Sequence, residues 1–540
     1  MTSASKSSKR VLAVVAGTAA FALALTGCQA GDDSSSGGSE SLIVGTTDKV
    51  TFLDPAGSYD NGSFALMNQV FPFLLNSPLG TSDVEPDIAE SAEYTSDDEY
   101  TVVLKSGLTF ANGNDLTSSD VKFSFDRQVA INDENGPSVL LGNIDSVEAV
   151  DDTTVVFHLK NGNDQTFAQI LSSPAAPIVD EEVFSADSVT PDEEIVDGMA
   201  FAGQYVIDSY DFNNIVSFTA NPDYQGVLGA AATDSITLKY YTDASNLKLD
   251  VQEGNIDVAH RSLSATDVAD LETNDNVNVI VGPGGEIRYI VFNFDTQPYG
   301  AKTPEADAEK SLAVRGAVAD LIDRQEISDQ VYKGTYLPLY SYVPDGLTGA
   351  TEVLKDLYGD GDGGPSVEAA QKRLADAGVE TPVALNLQYN PDHYGESSGD
   401  EYALVKSQLE ADGIFEVNLQ STEWVTYASE RTADAYPAYQ LGWFPDYSDA
   451  DNYLTPFFGD GNFLGNHYAD AEVNDLIVAQ ATELDPATRE GMIEDIQAKV
   501  AAQLSTVPFL QGAQIAVTGK DVTGATLDGS FKFRYGSLAK

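Results

Sequence analysis

One cysteine, Cys28, stands in a chain of 540 residues. A single thiol cannot form a disulfide within the chain, so the folded state must depend on a hydrophobic core and not on cross-links. Hydrophobic residues make up 42% of the sequence, which is enough for such a core. About 500 residues follow Cys28, more than one core usually supports, so the sequence predicts two or three domains.

The residues before Cys28 have the pattern of an export sequence. Lys6, Lys9 and Arg10 precede an uncharged stretch over 11–25, which is too short for a transmembrane helix of roughly 20 residues. This arrangement is typical of a signal peptide. Leu25-Thr26-Gly27-Cys28 resembles the lipobox of bacterial lipoproteins. The resemblance implies a lipoprotein signal peptide over 1–27 and lipidation of Cys28, the alternative being an ordinary signal peptide with an incidental cysteine.

The segment after Cys28 predicts a tether. Residues 29–40 read QAGDDSSSGGSE, a flexible composition with nothing to bury, so we assign a flexible tether to 28–40. Two acyl chains would hold the protein stably at a membrane surface. We therefore expect an extracytoplasmic protein, anchored to the outer face of the cell membrane through its N-terminal lipid.

Acidic residues outnumber basic ones by 85 to 28, which gives a formal net charge of −57. So negative a surface repels phosphate backbones and argues strongly against nucleic acid as a partner. The simplest role of this charge is solubility outside the cell. It does not predict the charge of a ligand, because surface charge is screened within about 10 Å at moderate salt.

Strand-like and helix-like segments alternate along the chain, which predicts an α/β fold with mixed sheets. The predicted strands cover 42–44, 100–104, 155–159, 236–241, 288–294, 382–389 and 416–420. The predicted helices cover 64–75, 120–129 (with Ser119 as N-cap), 308–321, 367–377, 401–412 and 484–504.

The sequence gives no positive support to a catalytic or metal site. Its four histidines (His158, His260, His393 and His467) have no metal-ligand spacing. No phosphate-loop pattern occurs, and no G-x-G-x-x-G pattern follows a predicted strand. The loop over 360–364 lacks the further oxygen ligands of a calcium site. We therefore predict a protein that is not an enzyme and has no cofactor or metal. The 25 tyrosines and two tryptophans instead favour a binding cleft.

Several segments in order resemble one family. They are DIAESAEY at 87–94, YTVVLKSGLTF at 100–110, LTSSDVKFSFDR at 116–127, GQY at 203–205, NPDYQG at 221–226, EGNID at 253–257, YIVFN at 289–293 with VRGAVADLIDR at 314–324, and GWFPDY at 442–447. Together they resemble the family 5 extracellular solute-binding proteins, the receptors of peptide and nickel ABC importers. The resemblance covers nearly the whole chain after the tether.

The resemblance implies a periplasmic-binding-protein-like fold of two α/β lobes joined by crossing strands, with an additional inserted domain. Lobe I would comprise 41–71, 202–289 and 507–540, the inserted domain 72–201, and lobe II 290–506. Ligand would be captured between the lobes by hinge closure. The protein would be a monomer that delivers short peptides to a membrane-embedded ABC permease with its ATPases.

The resemblance also implies the site residues. Asp446 of the G-W-x-x-D motif would pair with the α-ammonium of a peptide, although Pro445-Asp446 is also a good turn sequence. The other ligand-binding residues implied are pocket-lining Trp443, Trp424 and Arg431, main chain at Gly442 and Phe444, Tyr59, Asp60 and Asn61 closing from lobe I, and His260 and Arg261 facing the cleft.

One departure leaves the ligand's carboxylate without a predicted partner. Oligopeptide receptors have a basic residue three positions before the motif tryptophan, where this chain has Gln440. The carboxylate must then reach Arg431, Arg261 or Arg288, or stay in water. Alternative ligands are an oligosaccharide, an opine or a nickel chelate. Alternative classes are a surface peptidase or glycosidase, and a structural or adhesive lipoprotein.

Overall fold

The computed structural model of the chain describes residues 41–540, except Ser262, Asp392, Glu396 and the side chain of Val425. The predicted signal peptide, Cys28 and the predicted tether lie outside these residues. Strands and helices alternate along the described part, which confirms the α/β class. None of the described helices is long and apolar enough to span a bilayer.

The elements are numbered in chain order. The strands are β1 (Ser41–Thr46), β2 (Leu75–Asn76), β3 (Glu85–Pro86), β4 (Ala89–Ser96), β5 (Glu99–Leu104), β6 (Ile144–Asp151), β7 (Thr154–Leu159), β8 (Tyr205–Asp211), β9 (Ile215–Ala220), β10 (Ser235–Tyr240), β11 (Val258–His260), β12 (Val277–Phe292), β13 (Tyr336–Pro338), β14 (Val383–Tyr389), β15 (Phe415–Ser421), β16 (Ala438–Trp443) and β17 (Thr506–Gly519). The helices are α1 (Asn61–Val70), α2 (Ser118–Ile131), α3 (Phe167–Ile170), α4 (Asp192–Asp197), α5 (Ala244–Glu253), α6 (Ala265–Leu271), α7 (Ala308–Leu321), α8 (Arg324–Ile327), α9 (Val353–Leu357), α10 (Val367–Asp376), α11 (Ser398–Leu409), α12 (Trp424–Thr432), α13 (Asp451–Phe458), α14 (Ala471–Gln480) and α15 (Pro486–Gln503).

Two long strands, β12 and β17, hold the fold together. They pair antiparallel along most of their length, as the central strands of an 11-stranded mixed sheet in the order β15-β14-β16-β12-β17-β11-β1-β10-β9-β8, with β13 also paired to β17. We call the part with β1 and β8–β11 the first lobe, and the part with β14–β16 the second lobe. The long strands are the crossing strands that the family resemblance implied.

The carboxyl ends of the parallel strands of both lobes point toward the junction. In the first lobe, His260 lies opposite Ala516, which lies opposite Ile280 of β12. In the second lobe, Trp443 lies opposite Ile287 of the same strand. Loops at the carboxyl edge of parallel strands are where α/β sheets bind ligands. The two lobes therefore present their binding edges to each other across residues 281–286.

The pairing of β12 with β17 is interrupted at this junction, between Pro283 and Ile287. The main chains are so close there that a Cβ added to Gly284 would lie 1.8 Å from the carbonyl oxygen of Gly512. Glycine is required at such an approach because any side chain would collide with backbone. The junction thus combines an irregular strand with a very tight contact.

A separate four-stranded sheet, in the order β4-β5-β7-β6, lies against α2. The predicted N-cap of α2, Ser119, is wrong. Thr117 caps the helix, because its hydroxyl accepts from the Ser119 amide (3.2 Å) while Asp120 accepts from the Thr117 amide (2.8 Å). This capping box sets the helix start two residues earlier than the apolar stripe indicated.

Buried side chains form three large clusters. One comprises residues between 287 and 510, and a second lies between 73 and 202. The third joins residues from 42–71, 179–258 and 516–538. The three predicted domains stay a prediction, which this division supports. The clusters differ from the predicted inserted domain (72–201) near its C-terminal end. Val179, Phe184 and Phe201 belong to the first-lobe cluster and not to the cluster of the inserted domain.

The tight junction leads to a prediction about two glycines. Gly284→Ala should lower the free energy of unfolding by about 1–3 kcal/mol, the usual cost of overpacking. Gly491 in α15 has no atom within 4 Å of an added Cβ, so Gly491→Ala should stabilise by about 0.5–1 kcal/mol through helix propensity. Thermal unfolding followed by calorimetry measures both. Equal melting temperatures for the two variants would contradict the tight junction.

Candidate ligand-binding site

Asp446 follows β16 at the carboxyl edge of the second lobe, and Asn452 fixes its position. The Asn452 side chain accepts from the Asp446 amide (3.0 Å) and from the Trp443 indole nitrogen (2.9 Å). It also donates to Asp446 Oδ2 at 3.1 Å. One side chain therefore holds both the tryptophan and the aspartate of the G-W-x-x-D motif. Asn452 was not predicted, because its role follows from the turn that brings α13 back to β16.

Tyr59 reaches Asp446 from the first lobe. Its hydroxyl donates to Asp446 Oδ1, although the tyrosine is 40% exposed. The next residue, Asp60, caps α1 by accepting from the Ser63 amide at 2.8 Å, and Asn61 is exposed at the helix start. The predicted segment 59–61 thus lies at the cleft, with Tyr59 as the residue in contact with the second lobe.

Asp446 is a poorly hydrated acid with neutral partners. Burial raises the pKa of Asp446, and the hydrogen bonds from Tyr59 and Asn452 act in the opposite direction. Burial also raises the pKa of Tyr59, with a further contribution from the charge of Asp446. Among the described residues, Asp446 has no lysine, arginine or histidine partner within ion-pair distance. The carboxylate can therefore accept a cation from outside the chain.

The two predicted tryptophans lie in aromatic groups of the second lobe. Trp443 packs against Phe457, with ring centroids 5.0 Å apart. Trp424 stacks on His393 at 3.8 Å and meets Tyr394 edge-on at 5.8 Å. His393 and Tyr394 follow the carboxyl end of β14, and that position was the sequence feature that could have identified them. Both tryptophans are partly buried.

The main chain of the motif is already engaged at Gly442. Its carbonyl accepts from the hydroxyls of Tyr289 and Tyr394, each at 3.4 Å, and Gly442 pairs with Arg288 in the ladder between β12 and β16. Phe444 is partly buried against the second-lobe core. Main-chain contacts to an extended ligand would therefore come from the residues that follow Gly442.

The three arginines considered for the ligand's carboxylate all have protein partners. Arg431 donates to the carbonyls of Phe463 and Leu464, both at 3.2 Å. Arg261 pairs with Asp48 at 2.9 Å. Arg288, in turn, belongs to a buried network.

Arg288 is 3% exposed and pairs with Glu286 at 3.0 Å and Glu401 at 3.4 Å. Burial raises the pKa of Glu401, while Arg288 and Tyr332 act in the opposite direction. Gln440, the residue at the departure from the family motif, donates to Glu401 at 3.4 Å. Gln440 is thus part of this buried network beneath the site.

His260 lies in the first lobe and stacks on Phe533, with ring centroids 4.1 Å apart. Burial lowers the pKa of His260 to about 3, and the charge of Arg261 acts in the same direction. The imidazole is therefore neutral at physiological pH. It borders a cavity of about 10 Å³ with Thr46 and Tyr240, which is room for about one water molecule.

One group of described side chains could hold a metal ion by distance alone, namely Asp295, Asp434 and His467. His467 Nε2 is 2.6 Å from Asp434, and Lys302 pairs with Asp295 at 2.7 Å. The lysine and the histidine already provide partners for these carboxylates. The group lies away from the motif residues and belongs to the far end of the second lobe, next to Asn293.

The loop after Asp446 is held by a second set of charges. Arg489 of α15 binds Asp449 through two hydrogen bonds of 2.8 and 2.7 Å. Asp451 accepts from Thr455 (2.5 Å), from Gln480, and from the Tyr447 hydroxyl (3.4 Å). Burial, with the charge of Asp449, raises the pKa of Asp451 to about 6. Asp451, the first residue of α13 after this loop, therefore titrates at about pH 6.

The family model described as bacterial extracellular solute-binding proteins, family 5, middle, matches residues 83–465. The chain belongs to this family. The resemblance found in the sequence motifs is thereby confirmed. Proteins of family 5 are transport binding proteins, so this family 5 protein has a solute-binding role.

Two relatives and two solved structures are similar over most of the chain. Heme-binding protein A of Haemophilus influenzae is 25% identical over 495 residues, 85% of each chain. A probable D,D-dipeptide-binding periplasmic protein of Escherichia coli is 23% identical, covering 89% of this chain and 90% of that one. The HbpA2 structure from Haemophilus parasuis has a TM-score of 0.79 at 22% identity, covering 93% and 99%. A Pseudoalteromonas dipeptide-binding protein in complex with Met-Leu has a TM-score of 0.70 at 20% identity, covering 93% and 100%. These structures share the two-lobed fold.

The raised pKa of Asp451 predicts a pH effect on the stability of this family 5 protein. Because the folded state binds the proton more tightly than the unfolded chain, this contribution to stability is complete below about pH 4 and is lost as the pH rises through about 6. Asp451→Asn removes this titration. Its amide oxygen can still accept from Thr455 and Gln480, and its amide nitrogen can donate to the Tyr447 hydroxyl. From pH 4 to pH 7, the wild type should lose roughly 2–3 kcal/mol of unfolding free energy that the variant does not lose. The melting temperature of the variant should therefore rise relative to that of wild type over this range.

Asp485 provides a control of opposite sign. Hydrogen bonds from Thr488 at the start of α15 lower the pKa of Asp485. Its contribution is therefore present above pH 4 and lost as the pH falls, so Asp485→Asn should be less stable than wild type only at the higher pH. Parallel pH profiles for Asp451→Asn and wild type would show that the Asp451 pKa is not raised.

Proposed function

We propose that this family 5 protein is a lipid-anchored receptor that captures short peptides between its lobes by hinge closure and delivers them to an ABC permease. One observation carries the proposal. Asp446 is an oriented, poorly hydrated carboxylate with no cationic partner among the described residues, and Tyr59 of the opposite lobe touches it.

A peptide α-ammonium is the group that fits this carboxylate best. It carries a full positive charge and three donors, and a charge-assisted hydrogen bond contributes roughly 1.5–3 kcal/mol. An opine or another solute with an amine could use the same contact, whereas an oligosaccharide offers only neutral hydroxyls. The names of relatives cover heme as well as dipeptides, so the choice of peptide rests on Asp446.

The position of the site supports closure. Residues on two lobes contribute to it, so a ligand bound between Tyr59 and Asp446 makes more contacts when the lobes are close together. A ligand shifts an equilibrium by its difference in affinity for the two states. The glycine-lined junction of β12 with β17 is the place where the lobes would bend, because the strand pairing is interrupted there.

The membrane and transporter partners belong to the proposal as well. Lipidation of Cys28 would place the receptor on the outer face of the cell membrane, within reach of the permease and its ATPases. A monomer presents both lobes to such a partner. In this role the protein carries a solute and catalyses no reaction.

One prediction of the proposed function concerns recognition of the amine. Asp446→Asn should weaken the binding of free-amine peptides by about 10- to 100-fold, because a neutral amide replaces the charge that faces the ammonium. Native mass spectrometry and calorimetric titration with a mixed di- to pentapeptide library measure this. N-acetylated peptides should bind wild type and variant equally weakly.

Asp460→Asn is the matched control, since Asp460 is an exposed acid of the same lobe and its loss should leave the affinity unchanged. If wild type bound sugars or metal chelates but no peptide, the peptide assignment would be wrong while the solute-binding role remained. If Asp446→Asn bound free-amine peptides as tightly as wild type, the carboxylate would not be the ammonium partner.

Another prediction of the proposed function concerns the lipid anchor. In a bacterium that processes lipoproteins, the wild-type chain should incorporate radioactive palmitate and sediment with membranes. Cys28→Ser should lose the label completely, because its hydroxyl cannot form the thioether. An unlabelled wild-type protein released into the medium would instead indicate an ordinary signal peptide.

A further inference from the structure

Lys532, near the C-terminus, lies against the inserted-domain cluster. Its side-chain nitrogen Nζ approaches Asn76 Oδ1 to 3.5 Å, although the two residues are 456 positions apart in the sequence. It also donates to the carbonyl of Ser172 at 2.7 Å. The following residue, Phe533, belongs instead to the first-lobe cluster. A primary amine and a carboxamide thus meet where these two clusters adjoin.

The surroundings of this amine are apolar. Nζ lies 5.7 Å from the ring centre of Phe73 and 6.0 Å from that of Phe64. None of the ion pairs among the described residues includes Lys532. Burial, followed by the charge of Arg534, lowers the pKa of Lys532 well below its usual range. A lysine in such surroundings is more often the neutral amine, which is the nucleophilic form.

The side-chain oxygen of Asn76 is surrounded by donors. Arg534 Nη2 donates to it at 2.5 Å and the Ser77 amide at 3.0 Å, in addition to the approach of Lys532. Asn76 is 2% exposed and Arg534 is 3% exposed. Donors fixed around a carbonyl oxygen stabilise the negative charge that an attacking nucleophile places on that oxygen. The carboxamide carbon of Asn76 is therefore activated toward attack.

A buried carboxyl group belongs to the same part of the fold. Asp87 directly follows β3, the strand that pairs with β2 at Asn76. Its Oδ1 accepts from the Tyr224 hydroxyl at 2.7 Å, whereas its Oδ2 is buried without a hydrogen-bond partner among the described residues. Burial raises the pKa of Asp87, against the hydrogen bond from Tyr224. Such an acid can hold a proton and transfer it between two nitrogen atoms.

We propose that Lys532 and Asn76 join in the folded protein as a side-chain amide. The lone pair of neutral Nζ attacks Asn76 Cγ, so that a C–N bond forms and negative charge moves to Oδ1, where Arg534 stabilises it. A proton passes from Nζ to Asn76 Nδ2, with Asp87 as the acid that relays it. The bond from Cγ to Nδ2 then breaks, and Nδ2 leaves as ammonia. One amine and one carboxamide thus become one secondary amide and ammonia, without an oxidant or a further reactant.

This bond would serve the purpose that disulfides serve in other exported proteins. The chain has a single cysteine and cannot form a disulfide of its own. An amide from residue 76 to residue 532 would close a very long loop, and closure of a long loop removes conformational freedom from the unfolded chain. It would also replace a buried ammonium that lacks a counter-ion with a neutral group, which removes the cost of burying that charge.

The test is peptide mapping by tandem mass spectrometry on the full-length lipoprotein, purified in detergent. Wild type should yield a branched pair of peptides joined between Asn76 and Lys532 and lighter by one ammonia. Trypsin should not cleave after Lys532, because an acylated lysine carries no charge. Lys532→Met and Asn76→Ala should each lack the branched pair. On a denaturing gel, wild type should migrate differently from both variants, since its loop stays closed after unfolding.

Lys160 provides the matched control, because its ammonium also donates to a main-chain carbonyl, that of Gly142 at 2.7 Å, but the residue is exposed. Trypsin should cleave after Lys160 in wild type, and Lys160→Met should keep the branched pair. Separate, unmodified peptides containing Asn76 and Lys532 from folded wild type would overturn the proposal. A linear Asn76 peptide lacking ammonia would overturn it as well, since Asn76 would then have reacted with its own main chain.

Discussion

The pairing of β12 with β17 is the constraint on which the rest of the molecule depends. These two strands are shared by both lobes, so the carboxyl ends of two sets of parallel strands face each other across a few residues of β12. Gly284 lets the main chains approach closely where the pairing is interrupted. A single sheet thereby connects the two lobes, whereas two unconnected domains would need an interface to fix their relative position. Under the proposed function, the interrupted pairing would be the place where the lobes bend.

Local charges at the cleft run against the character of the whole surface. The chain carries a formal net charge of −57, yet Asp446 has no partner of opposite charge among the described residues. Charges that are poorly hydrated interact more strongly than exposed ones, because the surrounding dielectric constant is lower. The many surface acids are screened by salt. Under the proposed function, recognition would be set by such a dehydrated group and not by the net charge.

Sequence patterns predicted local elements and short motifs well, because both depend on neighbouring residues. The helix predicted over 367–377 ends within one residue of α10, and the motif placed Asp446 at a strand end. The strand predicted over 288–294 begins in fact at Val277, because the sequence Gly-Pro-Gly-Gly at 282–285 interrupts the hydrophobic pattern. Asn452 was missed, since its contacts come from a turn that spacing does not reveal.

Under the proposed function, recognition of the ligand and closure of the lobes would depend on the same carboxylate. An ionised aspartate has about four acceptor positions on its two oxygens. Tyr59 uses one on Oδ1, and Asn452 uses one on Oδ2. An ammonium can therefore join Asp446 without displacing either neighbour. Its positive charge would also favour the ionised acid, which is the better acceptor for the Tyr59 hydroxyl. Under the proposed function, binding would strengthen the contact between the lobes, so affinity and closure would rise together.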